Sequence, residues 1–197
     1  MKNVRNTFLT PEEMWHQIFV FGGVSGSGKN FFSNLLFRPE QKLRTATSRV
    51  PRNGEKHKVD YFFKTEQAFK KGIECNEFVE WDKFAGVYYG LPKEELSQKL
   101  EEDHVYIILT ANGIRRYKEL FPKNISIFLD IDINTAIQNM KHRGDTLEQI
   151  ERRVQKYEEE SASKDLCDYV ILNEKEKTEE NILLLKEIIL KEKKMHD

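Results

Sequence analysis

The chain has 197 residues, with 32 Lys and Arg against 33 Asp and Glu, a formal net charge of −1. That length suits one domain with room for an inserted lobe and a sizeable core, and the near-zero balance argues against a coat for nucleic acid or for an anionic membrane. No apolar run approaches the roughly 20 residues of a membrane span. No apolar stretch stands behind Met1-Lys2-Asn3-Val4-Arg5-Asn6 to make a secretory signal. The two cysteines, Cys75 and Cys167, are far apart and lack a partner motif, which points to reduced thiols in a soluble cytoplasmic protein.

Thr10-Pro11-Glu12-Glu13 is a helix-start signal, with Thr as N-cap, Pro at the first helical position and Glu at the third. Residues 18–21 then read as a buried strand, 22–29 as a glycine-rich turn and 30–37 as a helix. Residues 45–91 break the alternation with Pro51, Gly54 and many aromatics. They are expected to form short strands and one helix over 65–71, stopped by Gly72. Residues 42–58 hold six basic side chains (42, 44, 49, 52, 56 and 58) against Glu55, a local positive field hidden by the overall balance. Beyond this lobe, helices over 92–102, 114–121, 134–142 and 147–160 accompany buried strands at 105–109, 125–131 and 169–172. The last helix starts near Thr178, with Glu179 and Glu180 in its first turn and Lys191, Lys193 and Lys194 near its end, matching the helix dipole. The pattern predicts an α/β fold with a mostly parallel sheet.

Gly23-Val24-Ser25-Gly26-Ser27-Gly28-Lys29 follows a predicted strand and opens a predicted helix, the context a phosphate-binding loop requires. Glycines allow successive N–H groups to face phosphate oxygens, the helix end adds partial positive charge, and Lys29 can reach the β- and γ-phosphates. The ATP-binding candidates are Gly23, Ser25, Gly26, Ser27, Gly28, Lys29 and Asn30. Asn30 stands where such loops carry the Ser or Thr that binds Mg²⁺, so its side-chain carbonyl is the candidate metal ligand.

A second constellation follows: Thr45-Ala-Thr-Ser-Arg49-Val-Pro51-Arg52-Asn-Gly54-Glu55, then Asp60-Tyr61-Phe62-Phe63, Phe78-Val-Glu80-Trp81, and Gly86-Val-Tyr88-Tyr89-Gly90. Arg49 and Arg52 offer two guanidinium forks able to grip one phosphate. With the loop before it, this order and spacing resembles the guanylate kinase family, whose pattern is S-x-T-T-R-x-P-R-x-G-E, G-x-D-Y-x-F, F-x-E and G-x-Y-Y-G, over roughly residues 18–190.

The resemblance implies that Arg49, Arg52, Tyr61 and Tyr89 hold the phosphate of GMP, that Thr45 and Glu80 read guanine, and that Tyr88 is packing. A carboxylate accepts from both N1–H and the 2-amino group of guanine. Adenine offers neither donor, a loss that typically costs on the order of 10⁴ in discrimination. The resemblance further implies a lid over 137–154 whose Arg143 and Arg153 are catalytic together with Lys29 and Arg52, an acceptor-binding lobe over 45–91, and a core of 1–44, 92–136 and 155–197. Asn173 matches an Asn near the donor's adenine. The expected architecture is a P-loop kinase core with a mostly parallel sheet flanked by helices, carrying the inserted lobe and a short lid.

The implied activity is transfer of the γ-phosphate of ATP to GMP or dGMP with Mg²⁺, with small nucleotides rather than nucleic acid or membrane as partners. The chain departs from the family at Asn30 at the metal, at Ile108 and Thr110 in place of two family acids (Thr110 at what reads as a polar strand end), at Asn139 in place of a family arginine, and in one lid residue missing between Arg143 and Arg153. These departures leave open a weak or inactive binding module for a phosphorylated peptide or nucleotide, and a related kinase with a shifted acceptor.

Overall fold

The computed structural model describes residues 16–52, 54–84 and 86–194; the helix-start signal at Thr10 lies outside them. In chain order the strands are β1 (Ile18–Gly22), β2 (Ala46–Thr47), β3 (Phe62–Phe63), β4 (Phe78–Phe84), β5 (Val87–Pro92), β6 (Val105–Ile108), β7 (Ile125–Asp130) and β8 (Tyr169–Leu172). The helices are α1 (Lys29–Leu36), α2 (Glu66–Glu74), α3 (Lys93–Glu102), α4 (Ala111–Leu120), α5 (Ile133–His142), α6 (Leu147–Val154), α7 (Tyr157–Ser161) and α8 (Thr178–Lys194). The chain forms two compact units, one of residues 17–40 and 106–194 and one of His16 and residues 41–105.

The first unit is built on a sheet of order β6-β1-β7-β8, with β1–β7 and β7–β8 parallel. Strand β1 lies between two neighbours, and every one of its residues is buried, which is why it reads as a continuous apolar run rather than an alternating one. Edge strand β8 alternates instead: Ile171 enters the core while Val170 and Leu172 remain exposed. Phe19, Phe21, Ile127, Leu129 and Ile171 pack with Phe32 and Phe37 and with Leu185 and Ile188 of α8. The sheet thereby holds the turn after β1 rigidly at the C-terminal end of its strands, where ligands of open α/β sheets bind.

The second unit carries a sheet of order β3-β2-β5-β4, with β2–β3 parallel and the other pairs antiparallel. Helix α2 covers one face through Phe69, which stacks on Phe78 at 4.4 Å and on Tyr88 at 5.3 Å. Arg44 enters this sheet through a fork to Glu95 of α3, with Nε–Oε1 and Nη2–Oε2 both at 2.8 Å. The positive field expected over 42–58 is therefore reduced: Arg44 is neutralised by an acid outside that window, and Arg49 by Glu55.

Several boundaries differ from the sequence expectations. Gly72 does not stop α2. The helix runs to Glu74, and Gly72 is buried inside it because a Cβ there would stand 2.9 Å from the Phe78 ring. The left-handed residue that ends the helix is Asn76, at φ 56°. Helix α4 starts at Ala111, before the expected 114, because Thr110 is its N-cap, accepting from Gly113 N at 3.3 Å; Thr110 is a cap, not a strand end. The helix expected over 147–160 is two helices, since Tyr157 turns inward to pack against Val24, Ile131 and Ala136 and to donate to the Ile131 carbonyl at 2.6 Å. Both described cysteines are free thiols, and no helix among the described residues is long and apolar enough to cross a membrane.

Candidate functional site

Strand β1 delivers the chain into the loop 23–28, and α1 opens at Lys29. The loop turns on glycines with positive φ, Gly26 at 86° and Gly28 at 91°. A Cβ on Gly26 would stand 2.5 Å from the Ala136 carbonyl oxygen, so a side chain there would lift the loop off α5. Gly28 is the N-cap of α1 and provides no side-chain cap. The first-turn N–H groups are thus left for an anion, at the helix end whose dipole stabilises one.

Lys29 folds over the loop, its Nζ donating to the carbonyls of Gly23 at 2.7 Å and Val24 at 2.8 Å. Burial lowers its pKa to about 8; Glu160 opposes the shift, and Arg143 and Arg153 add to it. Two amides from distant segments brace the loop: Asn139 Nδ2 donates to Gly26 O at 2.9 Å and Asn173 Nδ2 to Ser27 O at 3.0 Å. Asn139, shorter than the arginine the resemblance implies there, reaches loop backbone.

A cavity of about 590 Å³ opens above the loop, in the size range of small-molecule sites. Ser25, Gly26, Gly28, Lys29, Asn30 and Arg143 line it, with an apolar wall from Phe31, Phe32 and Ile131. Gly23 and Ser27 do not line it; Ser27 is fully buried, and its Oγ has no hydrogen-bond partner among the described residues. Asn30 is exposed at the cavity edge, while Thr110 is committed to its cap. The lid arginines converge: Arg143 and Arg153 both bond to Asp145. Arg152 remains on the surface.

The acceptor candidates lie in the second unit, on the sheet face opposite α2. Directly paired residues of a sheet share a face, and neighbours along a strand alternate. Tyr89 pairs with Thr47 and Asp82, so Tyr89, Thr47 and Thr45 share one face, while Tyr88 belongs to the other and packs under α2. Glu80 reaches the Tyr89 face by a β-bulge. Phe78 pairs with Pro92 but Glu80 with Leu91, so Val79 is the extra residue and the two side chains point to opposite faces. Without that bulge, Glu80 would follow Phe78 toward α2.

On the same face Arg49 lies over Tyr61, its guanidinium carbon 5.4 Å from the ring, and the Tyr61 and Tyr89 rings are 6.5 Å apart. Burial pushes the Tyr61 phenol up, so it stays a donor at neutral pH. The Arg49–Arg52 loop is organised by Glu55: Oε1 accepts from Arg49 Nη2 at 2.8 Å and Oε2 from the Arg52 amide at 2.7 Å. Burial pushes Glu55 up, but the hydrogen bonds from Arg49 and the Arg52 amide outweigh it and hold the carboxyl below its usual range. The Arg52 guanidinium itself is exposed and makes no hydrogen bond among the described residues.

Some site residues escaped the sequence reading. Glu55 closes the arginine motif and could have been found there. Asp145 gains its meaning from Arg143 and Arg153, two and eight residues away, only once the corner between α5 and α6 forms, and Glu160 from Lys29, far off in the chain. Lys58 sits at φ 65° where the family pattern has glycine. Among the described residues, no group of three or more His, Cys, Asp or Glu is placed to hold a metal.

The Guanylate kinase family model matches residues 16–192. A guanylate kinase of Prochlorococcus marinus subsp. pastoris is 33% identical over 163 residues, which cover 80% of this chain and 89% of the relative. One from Caldanaerobacter subterraneus subsp. tengcongensis is 36% identical over 163 residues, covering 80% and 79%. In structure, the guanylate kinase from Anaplasma phagocytophilum aligns with a TM-score of 0.70 and 22% identity, covering 90% of this chain and 86% of that one.

Proposed function

Because the chain belongs to the guanylate kinase family, we propose that it transfers the γ-phosphate of ATP to GMP or dGMP, giving ADP and the nucleoside diphosphate. The observation that carries this reading is the bulge at Val79, which turns Glu80 onto the sheet face shared by Tyr89 and Thr45. A carboxylate on the face that also carries Arg49 and Tyr61 suits a ligand with two adjacent N–H donors at one end and a phosphate at the other. Guanosine monophosphate has both.

Phosphoryl transfer asks the protein for positioning and charge neutralisation rather than covalent chemistry. In this reading Lys29 and the loop N–H groups hold the donor phosphates, and Arg49, Arg52, Tyr61 and Tyr89 hold the acceptor phosphate as nucleophile. Arg143 and Arg153 neutralise the charge of the group in flight. Mg²⁺ arriving with ATP would neutralise donor oxygens. The residues present fit that mode of binding: Asn30 offers one neutral oxygen at the cavity edge, and such a metal takes most of its ligands from phosphates and water.

The test is a coupled assay of ADP release with ATP, Mg²⁺ and a panel of nucleoside monophosphates. GMP and dGMP should support turnover, with AMP, CMP and UMP at least about 10³-fold poorer in kcat/KM. Turnover with a different acceptor would favour the shifted-acceptor kinase. No turnover, with binding of a phosphorylated peptide on the Arg49 face, would favour the binding module.

A further inference from the structure

Helix α5 ends in a Schellman motif: Gly144, at φ 87°, donates to Lys141 O at 2.9 Å, and Asp145 N donates to Met140 O at 3.1 Å. The next residue, Thr146, is the N-cap of α6 in a full capping box with Gln149. Asp145 is therefore pinned at a corner with a rigid stop on one side and a rigid start on the other. Each arm of that corner sends one arginine back to it. Arg143, the C-cap of α5, bonds to both carboxylate oxygens, Nε–Oδ1 at 3.1 Å and Nη2–Oδ2 at 2.5 Å. Arg153, in the last turn of α6, adds Nη1–Oδ2 at 3.0 Å.

The carboxylate is mostly buried, with 13% of its side chain exposed, whereas Arg143 keeps 49% and lines the donor cavity with Lys29. The Arg143 fork is not exhausted. A guanidinium has five N–H donors, and Asp145 engages one edge of Arg143 and one terminal nitrogen of Arg153. The contact orients both groups and leaves N–H donors of Arg143, which lines the cavity, for an anion. It also offsets repulsion among Arg143, Arg153 and Lys29, which are close enough that both arginines help lower the pKa of Lys29.

We propose that Asp145 is the positioning residue of the lid, holding Arg143 and Arg153 as one preoriented pair at the donor cavity. This rests on the reading of those arginines as the groups that neutralise the transferring phosphoryl, and it adds a residue through which they act. Misplacing a charge-neutralising group by about an ångström costs on the order of 10²-fold in rate. Asp145→Asn is close in size, keeps one acceptor oxygen and removes the charge and the fork.

The test is steady-state kinetics with ATP and GMP for the wild type, Asp145→Asn, Arg153→Ala and the double variant, with GMP affinity by calorimetry as the control for folding. Asp145→Asn should lower kcat about 10–100-fold, while KM and Kd for GMP stay within about twofold. Added to Arg153→Ala it should cost less than about threefold more, because residues acting through one another are non-additive. A wild-type kcat in Asp145→Asn would overturn the proposal, as would losses that multiply in the double variant. Loss of GMP binding in Asp145→Asn would make Asp145 a residue of the fold and overturn it too. A wild type that binds GMP but yields no GDP would fail the kinase reading itself, a result distinct from these.

Discussion

The loop at 23–30 and the sheet face at 45–89 offer polar groups to a ligand by different means. At 23–30 the work is done by backbone: glycines at positive φ, uncapped N–H groups at the start of α1, and one lysine resting on loop carbonyls. Its supports come from far away, Asn139 and Asn173 lying 113 and 146 residues from their loop partners. At 45–89 the work is done by side chains on one face of a small sheet. There Arg49, Glu55, Tyr61, Glu80 and Tyr89 derive their geometry from pairing within that stretch. A backbone cradle accepts any phosphate chain of the right shape, whereas a side-chain face can select a base.

The largest expected effect separates the two. Lys29→Ala should lower phosphoryl transfer about 10³-fold or more, since it removes a charge aimed at the developing transition state. GMP affinity by calorimetry should move less than about twofold. A large loss of GMP binding would mean that the two regions do not divide the labour as described.

Glu80→Gln makes the converse cut. The amide keeps one acceptor but sets an N–H₂ against a guanine donor, so kcat/KM for GMP should fall on the order of 10²–10³-fold. Binding of ATP alone should be unchanged. Equal GMP affinity in the variant would remove Glu80 from the base-reading role.

Asn30→Thr sharpens the donor side. It places a hydroxyl where a phosphate loop ordinarily offers one to Mg²⁺, and kcat should rise several-fold, about 3–10-fold, with half-activation at lower Mg²⁺. Thr110→Asp keeps the α4 cap, because Asp caps at least as well as Thr, and should help less. A neutral or harmful Asn30→Thr across a Mg²⁺ titration would show that Asn30 already serves.

The smallest effect concerns the scaffold under the donor loop. Asp168 accepts from Ser126 N at 2.8 Å and Ser126 Oγ at 2.7 Å and pairs with Lys118. Burial pushes its carboxyl up, but the bonds from Lys118 and Ser126 prevail and hold it below its ordinary 3.8. A depressed carboxylate stabilises the fold above its unfolded pKa, and that contribution is lost as pH falls through the lower folded value. Asp168→Asn should thus lower Tm by about 2–4 °C near pH 7, and the gap should close as melts are run toward pH 3. A gap independent of pH would place the effect elsewhere.

Legibility followed the same division. The strands Ile18–Gly22 and Tyr169–Leu172 were readable because their apolar runs are short and bounded, and the α/β class followed from their alternation with helices; the expectation that Tyr169–Leu172 is buried failed because it lies at the sheet edge, where only Ile171 enters the core. The arginine motif and the Tyr88–Tyr89 pair were readable as a pattern. What sets those two tyrosines on opposite faces is the alternation of β5, with Tyr88 packed under α2, whereas the face of Glu80 is set by a one-residue bulge at Val79 that no propensity announces. Gly72 misled because a helical glycine can be there for packing as well as for stopping; only the Phe78 ring lying against it decides. Asp145 was invisible because its partners come from the ends of two helices whose corner exists only once both are capped.

The most direct measurement follows the phosphoryl group itself. The protein would be incubated with γ-labelled ATP, Mg²⁺ and GMP, and the labelled products separated by chromatography. The account predicts label in GDP, formed in step with ADP, and little label as inorganic phosphate. Label released as phosphate, or retained in ATP while GMP is bound, would contradict it.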